Sequence, residues 1–368
     1  MSVDVYITNI LEEAVKQGAS DVHITVGSPP RIRVDGQIKP LEQFPVVTPD
    51  MSKKLIFEIM RERYRKTLEE EGQVDFSFGV PGIGRFRVNA FYQRGTVAGV
   101  FRSLPARIPH YKELGLPDRI IDLCHKSMGL VLVTGPTGSG KSTTLAAMID
   151  YILENFPHHV LTIEDPIEYL FKHKKGIVNQ REIGTDAANF NDALRAALRE
   201  DPDVIMVGEM RDAETIETAL RAAETGHLVF GTLHTNTAIS TINRIVDVFP
   251  PERQEQIRIQ LSFTLAGVIS QRLVPKVGGG RVLAYELLIP NKAIRNLIRE
   301  NKLQQVYALM QSGQAQTGMQ TMNQSLAKLY KEGLITLEDA VRYSPDPVEL
   351  AKLLGVPYSQ IAHLAEEV

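Results

Sequence analysis

The chain has 368 residues, of which 43% are hydrophobic and 23% charged, and its formal net charge is −3. This length allows two or three domains with a buried core, and the charge excludes strong overall attraction to nucleic acid or anionic lipid. Cys124 is the only cysteine, which excludes internal disulfides and cysteine-rich zinc modules and fits a reducing compartment. No apolar run approaches the roughly 20 residues of a membrane span, and no export signal stands at the N-terminus. We therefore expect a soluble cytoplasmic protein whose membrane contact is peripheral only.

Residues 1–104 predict a small α+β domain with an antiparallel sheet. An amphipathic helix over 5–18 is followed by alternating apolar and polar residues around the turn Asp35-Gly36, a strand-turn-strand pattern. A charged helical stretch, 49–71, ends at Gly72, and alternation resumes on both sides of the turn Arg94-Gly95. Residues 105–117 contain three prolines and Gly115, counting Pro117 at the end, and predict a linker.

Beyond the linker the pattern changes to short, continuously apolar strands separated by helical segments. The strands are LVLVTG, HVLTIED, DVIMVGE and LVFGTLHT, and burial of both faces is typical of a parallel sheet flanked by helices. After about residue 250 we expect helices, apart from a hairpin around KVGGGRVLAYELL. The fold class is thus α/β, with a core over 118–290 and a helical C-terminal region over 291–368.

A phosphate-binding loop follows the first of these strands. The stretch GPTGSGKS fits G-x-x-x-x-G-K-[ST] between a strand and a helix, where backbone N–H groups and the helix N-terminus attract phosphate. Lys141 is expected to reach the β- and γ-phosphates of ATP, and the Ser142 hydroxyl to bind Mg²⁺. The predicted nucleotide-binding residues are Gly135, Pro136, Thr137, Gly138, Ser139, Gly140, Lys141, Ser142 and Thr143.

Acidic residues follow two further strands. Glu164, Asp165 and Glu168 come just after one, and Glu209 comes after the next. Ligands of open α/β sheets lie beyond the carboxyl ends of the strands, so we expect these acids to converge on the phosphates. Glu168 or Glu164 would position the attacking water, and Glu209 would hold Mg²⁺ directly or through water.

Histidines and arginines supply further candidates. His227 and His234 bracket the strand LVFGTL, and they could sense the γ-phosphate, pass a signal across a subunit boundary, or be structural. Arginines precede the linker on the alternating strands, where one or two could reach a nucleotide, within the chain or from a neighbour, or simply form a solvated face. They are Arg85, Arg87, Arg94 and Arg102.

Four motifs together resemble the secretion ATPase superfamily. GPTGSGKSTT, TIEDPIEY, VGEMRD with the following RAAETGH, and GTLHTNTA are similar to its Walker A, Asp, Walker B and His boxes, in the same order. QGASDVHITVGSPPRIRVDG resembles its N-terminal PAS-like domain, and the octet AIRNLIRE, residues 293–300, is similar to one typical of its type IV pilus retraction ATPases. GMQTMNQSLAKLYKEGLIT resembles their C-terminal helices. The similarity extends to about residue 345, and residues 346–368 have no comparable match.

The resemblance implies a homohexameric, RecA-like motor ATPase at the cytoplasmic face of the inner membrane. Such a motor drives retraction of type IV pili and twitching motility, acts on pilin through an inner-membrane platform protein, and makes no direct contact with nucleic acid. Glu168 matches the family's catalytic glutamate, Glu209 the Walker B acid, and His227 and His234 the His-box pair. Arg102 lies in a stretch from which the family's N-terminal domain reaches nucleotide.

The octet also has a plainer interpretation. Helical spacing places Ala293, Ile294, Leu297 and Ile298 on one apolar face, as on any surface helix. Only the resemblance makes the octet a motif that retraction needs and ATP hydrolysis does not.

Four alternatives remain open. Pilus-assembly or type II secretion ATPases of the same superfamily generally have a longer N-terminal region and a four-cysteine zinc insertion, unlike this chain. The intact octet argues against an accessory retraction paralogue. The net charge and the lack of a basic, aromatic-bearing groove argue against a nucleic-acid motor. A nucleotide-binding regulator without hydrolysis would leave Glu168 and Glu209 unused.

Overall fold

The chain folds into two compact units. The computed structural model describes residues 5–105 and 107–366; Ala106, inside the predicted linker, and the chain ends lie outside the described residues. One unit comprises residues 1–107 together with 166–170, and the other comprises 108–165 together with 171–368. The predicted domain boundaries at 104, 117 and 290 stay predictions.

The first unit contains a six-stranded antiparallel sheet in the order β3-β2-β1-β6-β5-β4. The turns Asp35-Gly36 and Arg94-Gly95 have positive φ at both residues, 49° and 80°, and 47° and 74°, as tight two-residue hairpins require. Both predicted turns are therefore confirmed. The strands are β1 Asp21–Ile24, β2 Arg31–Val34, β3 Gln37–Pro40, β4 Gln73–Val80, β5 Gly84–Gln93 and β6 Thr96–Ser103.

Three helices cover this sheet: α1 Ile7–Lys16, α2 Pro49–Phe57 and α3 Glu62–Glu71. The single helical stretch predicted over 49–71 is thus wrong, because the chain breaks at 58–61 and buries Met60 there. Its predicted start and end are correct. The Thr48 side chain accepts a hydrogen bond from the Met51 amide, and Gly72 ends α3 in the left-handed conformation.

The second unit contains a seven-stranded sheet in the order β13-β12-β7-β11-β10-β8-β9. Its first six strands in chain order are parallel, and the last is antiparallel to β12. The strands are β7 Gly129–Thr134, β8 His159–Glu164, β9 Ile177–Glu182, β10 Val204–Val207, β11 Leu228–Leu233, β12 Leu265–Pro275 and β13 Arg281–Leu288. The parallel sheet and the late hairpin are confirmed, whereas β9 and the parallel pairing of β12 with β7 were not predicted.

Strand β7 is apolar throughout because both of its faces are buried. Leu130 and Leu132 pack in a core on one face of the sheet, and Val131 and Val133 pack in a second core on the other. All four side chains are fully buried. A central strand of a parallel sheet has no solvent face, so alternation is lost and a continuous apolar run replaces it.

Helices cover both faces of this sheet and form the C-terminal region. They are α4 Asp118–Asp122, α5 Lys141–Asn155, α6 Phe190–Ala197, α7 Ala213–Glu224, α8 Ala238–Asp247, α9 Pro251–Thr264, α10 Lys292–Arg299, α11 Val306–Ser312, α12 Gln314–Thr317, α13 Met322–Lys331, α14 Leu337–Arg342, α15 Pro347–Leu354 and α16 Ala362–Glu366. Short 3₁₀ helices lie at Leu123–His125, Leu303–Gln305 and Tyr358–Gln360. Among the described residues, no helix combines the length and the apolar character needed to cross a bilayer.

Residues 346–366, for which the sequence offered no comparison, are packed rather than loose. The Glu349 carboxylate on α15 accepts hydrogen bonds from the Tyr307 hydroxyl at 2.5 Å and from the Asn323 amide at 2.7 Å, and also from the Gln311 side chain. Leu350, Ala351 and Ile361 are buried in the same small core as α13 and α14. The last helices therefore belong to the second unit.

The fold makes a simple stability prediction. Ile205→Ala on β10 removes a fully buried side chain, so we expect the second unit to lose about 2–5 kcal/mol of unfolding free energy. Ile177→Ala on the edge strand β9 is the matched control, since Ile177 is 54% exposed, and its cost should stay below about 1 kcal/mol. Urea unfolding followed by circular dichroism measures both, and equal costs would contradict the strand assignment.

Candidate functional site

The loop 135–140 leaves β7 and leads directly into α5. Gly135, Gly138 and Gly140 have φ of 148°, 80° and 86°, values that L-residues with side chains rarely adopt. At Gly135 a Cβ would collide with the Ser139 side chain and would lie 2.6 Å from the Gln271 carbonyl oxygen. The glycines are therefore needed both for backbone conformation and for space.

Helix α5 begins without a capping side chain. Gly140 occupies its N-cap position and has no side chain that could accept hydrogen bonds from the first-turn amides. Those amides therefore keep their capacity to bind an anion. Ser142 in this first turn is exposed, and Thr144 is buried. A 15-residue helix directs a favourable dipole field toward any phosphate placed there.

The Lys141 ammonium lies over the loop. Its Nζ donates hydrogen bonds to the carbonyl oxygens of Gly135 at 2.8 Å and Pro136 at 3.0 Å, and it lies 3.4 Å from Nδ1 of His234. A positive charge is thus held beside the uncapped helix N-terminus, which is the arrangement that phosphate binding requires.

Glu209 and His234 meet at the carboxyl edge of the parallel sheet. Glu209 follows β10, His234 follows β11, and Glu209 Oε1 lies 3.2 Å from Nε2 of His234. The other carboxylate oxygen accepts a hydrogen bond from the Arg211 guanidinium at 2.6 Å. Lys141, His234, Glu209 and Arg211 therefore form one continuous polar chain.

The environment of Glu209 keeps its carboxyl group ionised. Partial burial acts to raise its pKa, but the Arg211 hydrogen bond and charge, with further help from His234 and Lys141, outweigh burial and lower the pKa below its ordinary value. An ionised carboxylate at this edge suits a role in binding a divalent cation.

Glu164 is also at the carboxyl edge, at the end of β8, but its side chain is held within the sheet. It is 7% exposed, and its Oε2 accepts hydrogen bonds from the Thr162 hydroxyl at 2.7 Å and from the Gln180 amide at 3.0 Å. These bonds direct one carboxylate oxygen toward β9.

Three further predicted site residues are positioned by other elements. Glu168 is exposed and belongs to the segment 166–170 of the first unit. Arg102, on β6, has its Nε 3.1 Å from the Asp21 carboxylate. His227 precedes β11, so it lies at the opposite end of that strand from His234, where its Nδ1 is 3.0 Å from the Ala222 carbonyl oxygen. The catalytic roles of all three stay predictions.

Two side chains at this site were not predicted from the sequence. Arg211 pairs with Glu209, and its signal was its place two residues later in VGEMRD. Gln271, on β12, contacts Gly135 through its backbone and Thr144 through its side chain. Its signal was the polar stretch Ser270, Gln271 and Arg272 between the apolar parts of β12.

The octet helix corresponds to α10, and burial on its predicted apolar face is uneven. Ile294 and Ile298 are fully buried and Leu297 is half-buried, whereas Ala293 is exposed. Ala293 falls in the first turn of the helix, beyond the edge of the packed surface. Arg295 donates a hydrogen bond to the Ser262 carbonyl oxygen at 2.7 Å and so satisfies the end of α9.

The side chains present suit Mg²⁺ bound together with a nucleotide. Ser142 offers an exposed hydroxyl next to Lys141, and Glu209 offers an ionised carboxylate. Mg²⁺ in such sites takes only one or two protein oxygens and completes its shell with phosphate and water. When bound, the ion would neutralise charge that develops on the phosphate oxygens.

Comparison with known proteins gives a consistent set of relatives. Residues 1–279 match the model of the Type II/IV secretion system protein family. The type IV pilus retraction ATPase PilT of Pseudomonas aeruginosa is 53% identical over 334 residues, which are 91% of this chain and 96% of that protein. A twitching motility protein of Neisseria gonorrhoeae is 52% identical over 314 residues, 85% of this chain and 83% of its own length.

A solved structure agrees with these relatives. The crystal structure of a pilus retraction motor, PilT, with bound ADP has a TM-score of 0.88 and 69% sequence identity. The match covers 95% of this chain and all of that one. The predicted fold class and the predicted superfamily are both confirmed.

Removal of Arg211 tests the electrostatics of the site. Arg211→Ala deletes the main group that lowers the pKa of Glu209, so we expect that pKa to rise. A carboxyl group whose pKa is lowered in the folded state stabilises the protein above its unfolded pKa of about 4.5, and this stabilisation is lost as pH falls through the folded pKa. The variant should therefore lose less unfolding free energy than the wild type as pH falls below about 4.5. Carboxyl-carbon NMR titration measures the pKa directly.

Arg244→Ala, at an exposed position on α8, is the matched control for loss of one guanidinium. An unchanged Glu209 titration in Arg211→Ala would show that the ion pair does not set the charge of Glu209.

Proposed function

This chain belongs to the Type II/IV secretion system protein family and is an ATPase, and we propose that it is a hexameric motor whose ATP hydrolysis drives retraction of type IV pili and twitching motility. The observation that carries the proposal is the polar chain Lys141–His234–Glu209 beside an uncapped helix N-terminus, in a protein similar over nearly its whole length to pilus retraction ATPases. That similarity favours retraction over pilus assembly or secretion.

The residues of the loop bind ATP in this proposal. Backbone N–H groups between Gly135 and Thr143 hold the phosphates, except at Pro136, which has no N–H and lines the loop. Lys141 exchanges its contacts with the carbonyl oxygens of Gly135 and Pro136 for phosphate oxygens. Ser142 and Glu209 hold Mg²⁺, Glu209 directly or through water. His234, placed between Lys141 and Glu209, is the side chain best positioned to respond to the γ-phosphate.

Glu168 is the proposed base that orients the attacking water. Glu164 is the other candidate, but one of its carboxylate oxygens already accepts two hydrogen bonds within the sheet, which leaves it less free to hold a water. We assign Glu164 a supporting role at the edge of the site, and Glu168, whose side chain is exposed, the catalytic one.

Arg102 and His227 act between subunits in this proposal. Arg102, whose side chain is 70% exposed, serves as an arginine finger. His227 carries the signal across a subunit boundary. During the cycle the two units of each chain change their mutual orientation, and six such movements in a ring turn the platform protein and return pilin to the membrane.

The proposed location is the cytoplasmic face of the inner membrane, with peripheral contact only. The net charge of −3 gives no support to direct nucleic-acid binding. The octet helix α10 presents Ala293 and Asn296 as exposed positions, and its C-cap residue Glu300 is exposed as well. Arg299 lies over the exposed Phe263 ring at 5.2 Å. These positions are proposed to couple hydrolysis to retraction.

A deletion strain distinguishes retraction from assembly. Loss of a retraction motor should leave cells with excess pili and no twitching motility, because pili still extend but are not withdrawn. Electron microscopy of pili and a stab assay of motility measure both. Complementation with the wild-type gene should restore motility, and complementation with Lys141→Ala should not. A strain without pili would instead identify an assembly ATPase.

Glu168→Gln tests the proposed base. We expect ATP turnover to fall at least about a hundredfold, the usual contribution of a general base, while ATP binding changes less than about threefold. Steady-state hydrolysis and fluorescent-nucleotide titration measure the two effects. Glu154→Gln, at an exposed position near the far end of α5, is the matched control. Near-normal turnover in Glu168→Gln would remove Glu168 from this role.

A further inference from the structure

The Gln271 side chain is a buried amide beneath the phosphate loop. Gln271 lies on β12 and is 1% exposed, and its Nε2 donates a hydrogen bond of 2.8 Å to the Thr144 hydroxyl. Thr144 is 2% exposed and lies in the first turn of α5. One side chain of the sheet therefore holds the beginning of the helix that carries Lys141 and Ser142.

Strand β12 also forms the floor of the loop. The Gln271 carbonyl oxygen is 2.6 Å from the position of a Cβ at Gly135, and Cδ1 of Leu273 is 3.6 Å from the corresponding position at Gly140. Both ends of the glycine loop thus rest on this strand. A small shift of β12 would move the loop, because close-packed groups transmit displacement.

Two buried polar atoms at this point have no hydrogen-bond partner within the described part of the chain. They are Oε1 of Gln271 and Oγ of Ser139, and Ser139 is 2% exposed. Buried polar atoms are almost always paired, so each exception calls for an explanation. The two are complementary, since a hydroxyl donates and an amide oxygen accepts. Gly135 adjoins both residues, Ser139 through its side chain and Gln271 through its backbone carbonyl.

We propose that Gln271 is a positioning residue for the phosphate loop, acting through Thr144 at all times and through Ser139 when nucleotide is bound. Closure of the loop on phosphate brings the Ser139 hydroxyl to Gln271 Oε1, so binding completes a hydrogen bond that the protein otherwise lacks. This inference rests on the proposed nucleotide site. It adds to that site a residue that lies outside the Walker A, Asp, Walker B and His boxes.

The test measures binding of fluorescent ADP to the full-length protein. Gln271→Leu keeps the volume of the side chain but removes both hydrogen bonds, and we expect ADP affinity to fall about fivefold or more, as for loss of one or two neutral bonds. Thr144→Val, which removes one bond and also serves if the Leu variant does not fold, should weaken binding by a similar or smaller factor. Because both changes break the same contact, the double variant should bind no more weakly than Gln271→Leu.

Gln320→Leu is the matched control. Gln320 is 7% exposed, and its amide donates to the Tyr285 carbonyl oxygen at 3.1 Å, so it shares the burial but not the loop contact. It should lower the melting temperature without nucleotide and leave ADP affinity unchanged.

Two outcomes would overturn the inference. One is unchanged ADP affinity in Gln271→Leu and Thr144→Val, and the other is a double variant whose loss equals the product of the single losses. If the wild-type protein bound no ADP, the proposed nucleotide site would be wrong. That result is distinguishable from a failure of the Gln271 inference, which requires a wild-type protein that binds ADP.

Discussion

The close approach of Gly135 to strand β12 is the constraint on which the site depends. The parallel pairing of β12 with β7 places the Gln271 carbonyl oxygen where a side chain at Gly135 would stand. Backbone cannot yield as a flexible side chain can, so the sheet dictates the path of the loop. That path fixes where α5 begins, and the start of α5 in turn fixes the direction of Lys141 and the exposure of Ser142.

The electrostatics of the site follow from the same edge of the sheet. Strands β10 and β11 are parallel neighbours, so the residues after them, Glu209 and His234, must meet. Lys141, 3.4 Å from the His234 ring, and Arg211, ion-paired with the Glu209 carboxylate, lie at the two ends of this polar chain. A phosphate entering here competes with carbonyl oxygens for Lys141, and therefore part of the gain from binding is offset by bonds that the protein gives up.

Features that depend on residues close together in the sequence could be predicted, and features that depend on residues far apart in the sequence could not. The glycine turns, the glycine-rich loop between β7 and α5, and the apolar run of β7 are local features, and their structure was predicted correctly. The pairing of β12 with β7 joins residues more than a hundred positions apart, and no local pattern encodes it, so Gln271 was missed. By contrast, the separation of His227 and His234 by a strand is a local feature, and the sequence already placed them at its two ends.

The hairpin that supports the loop also connects it to the C-terminal region. Glu286 on β13 is 1% exposed, and its carboxylate accepts hydrogen bonds from the first amides of two helices, Ala238 of α8 at 2.8 Å and Met322 of α13 at 3.4 Å. Burial raises its pKa, while these two amides act in the opposite sense. Since α8 follows the loop that carries His234, one buried carboxylate joins the His-box segment, the hairpin under the phosphate loop and the C-terminal helices. Its partners are the backbone amides at the starts of α8 and α13, so this single side chain ties the hairpin to the N-terminal ends of both helices.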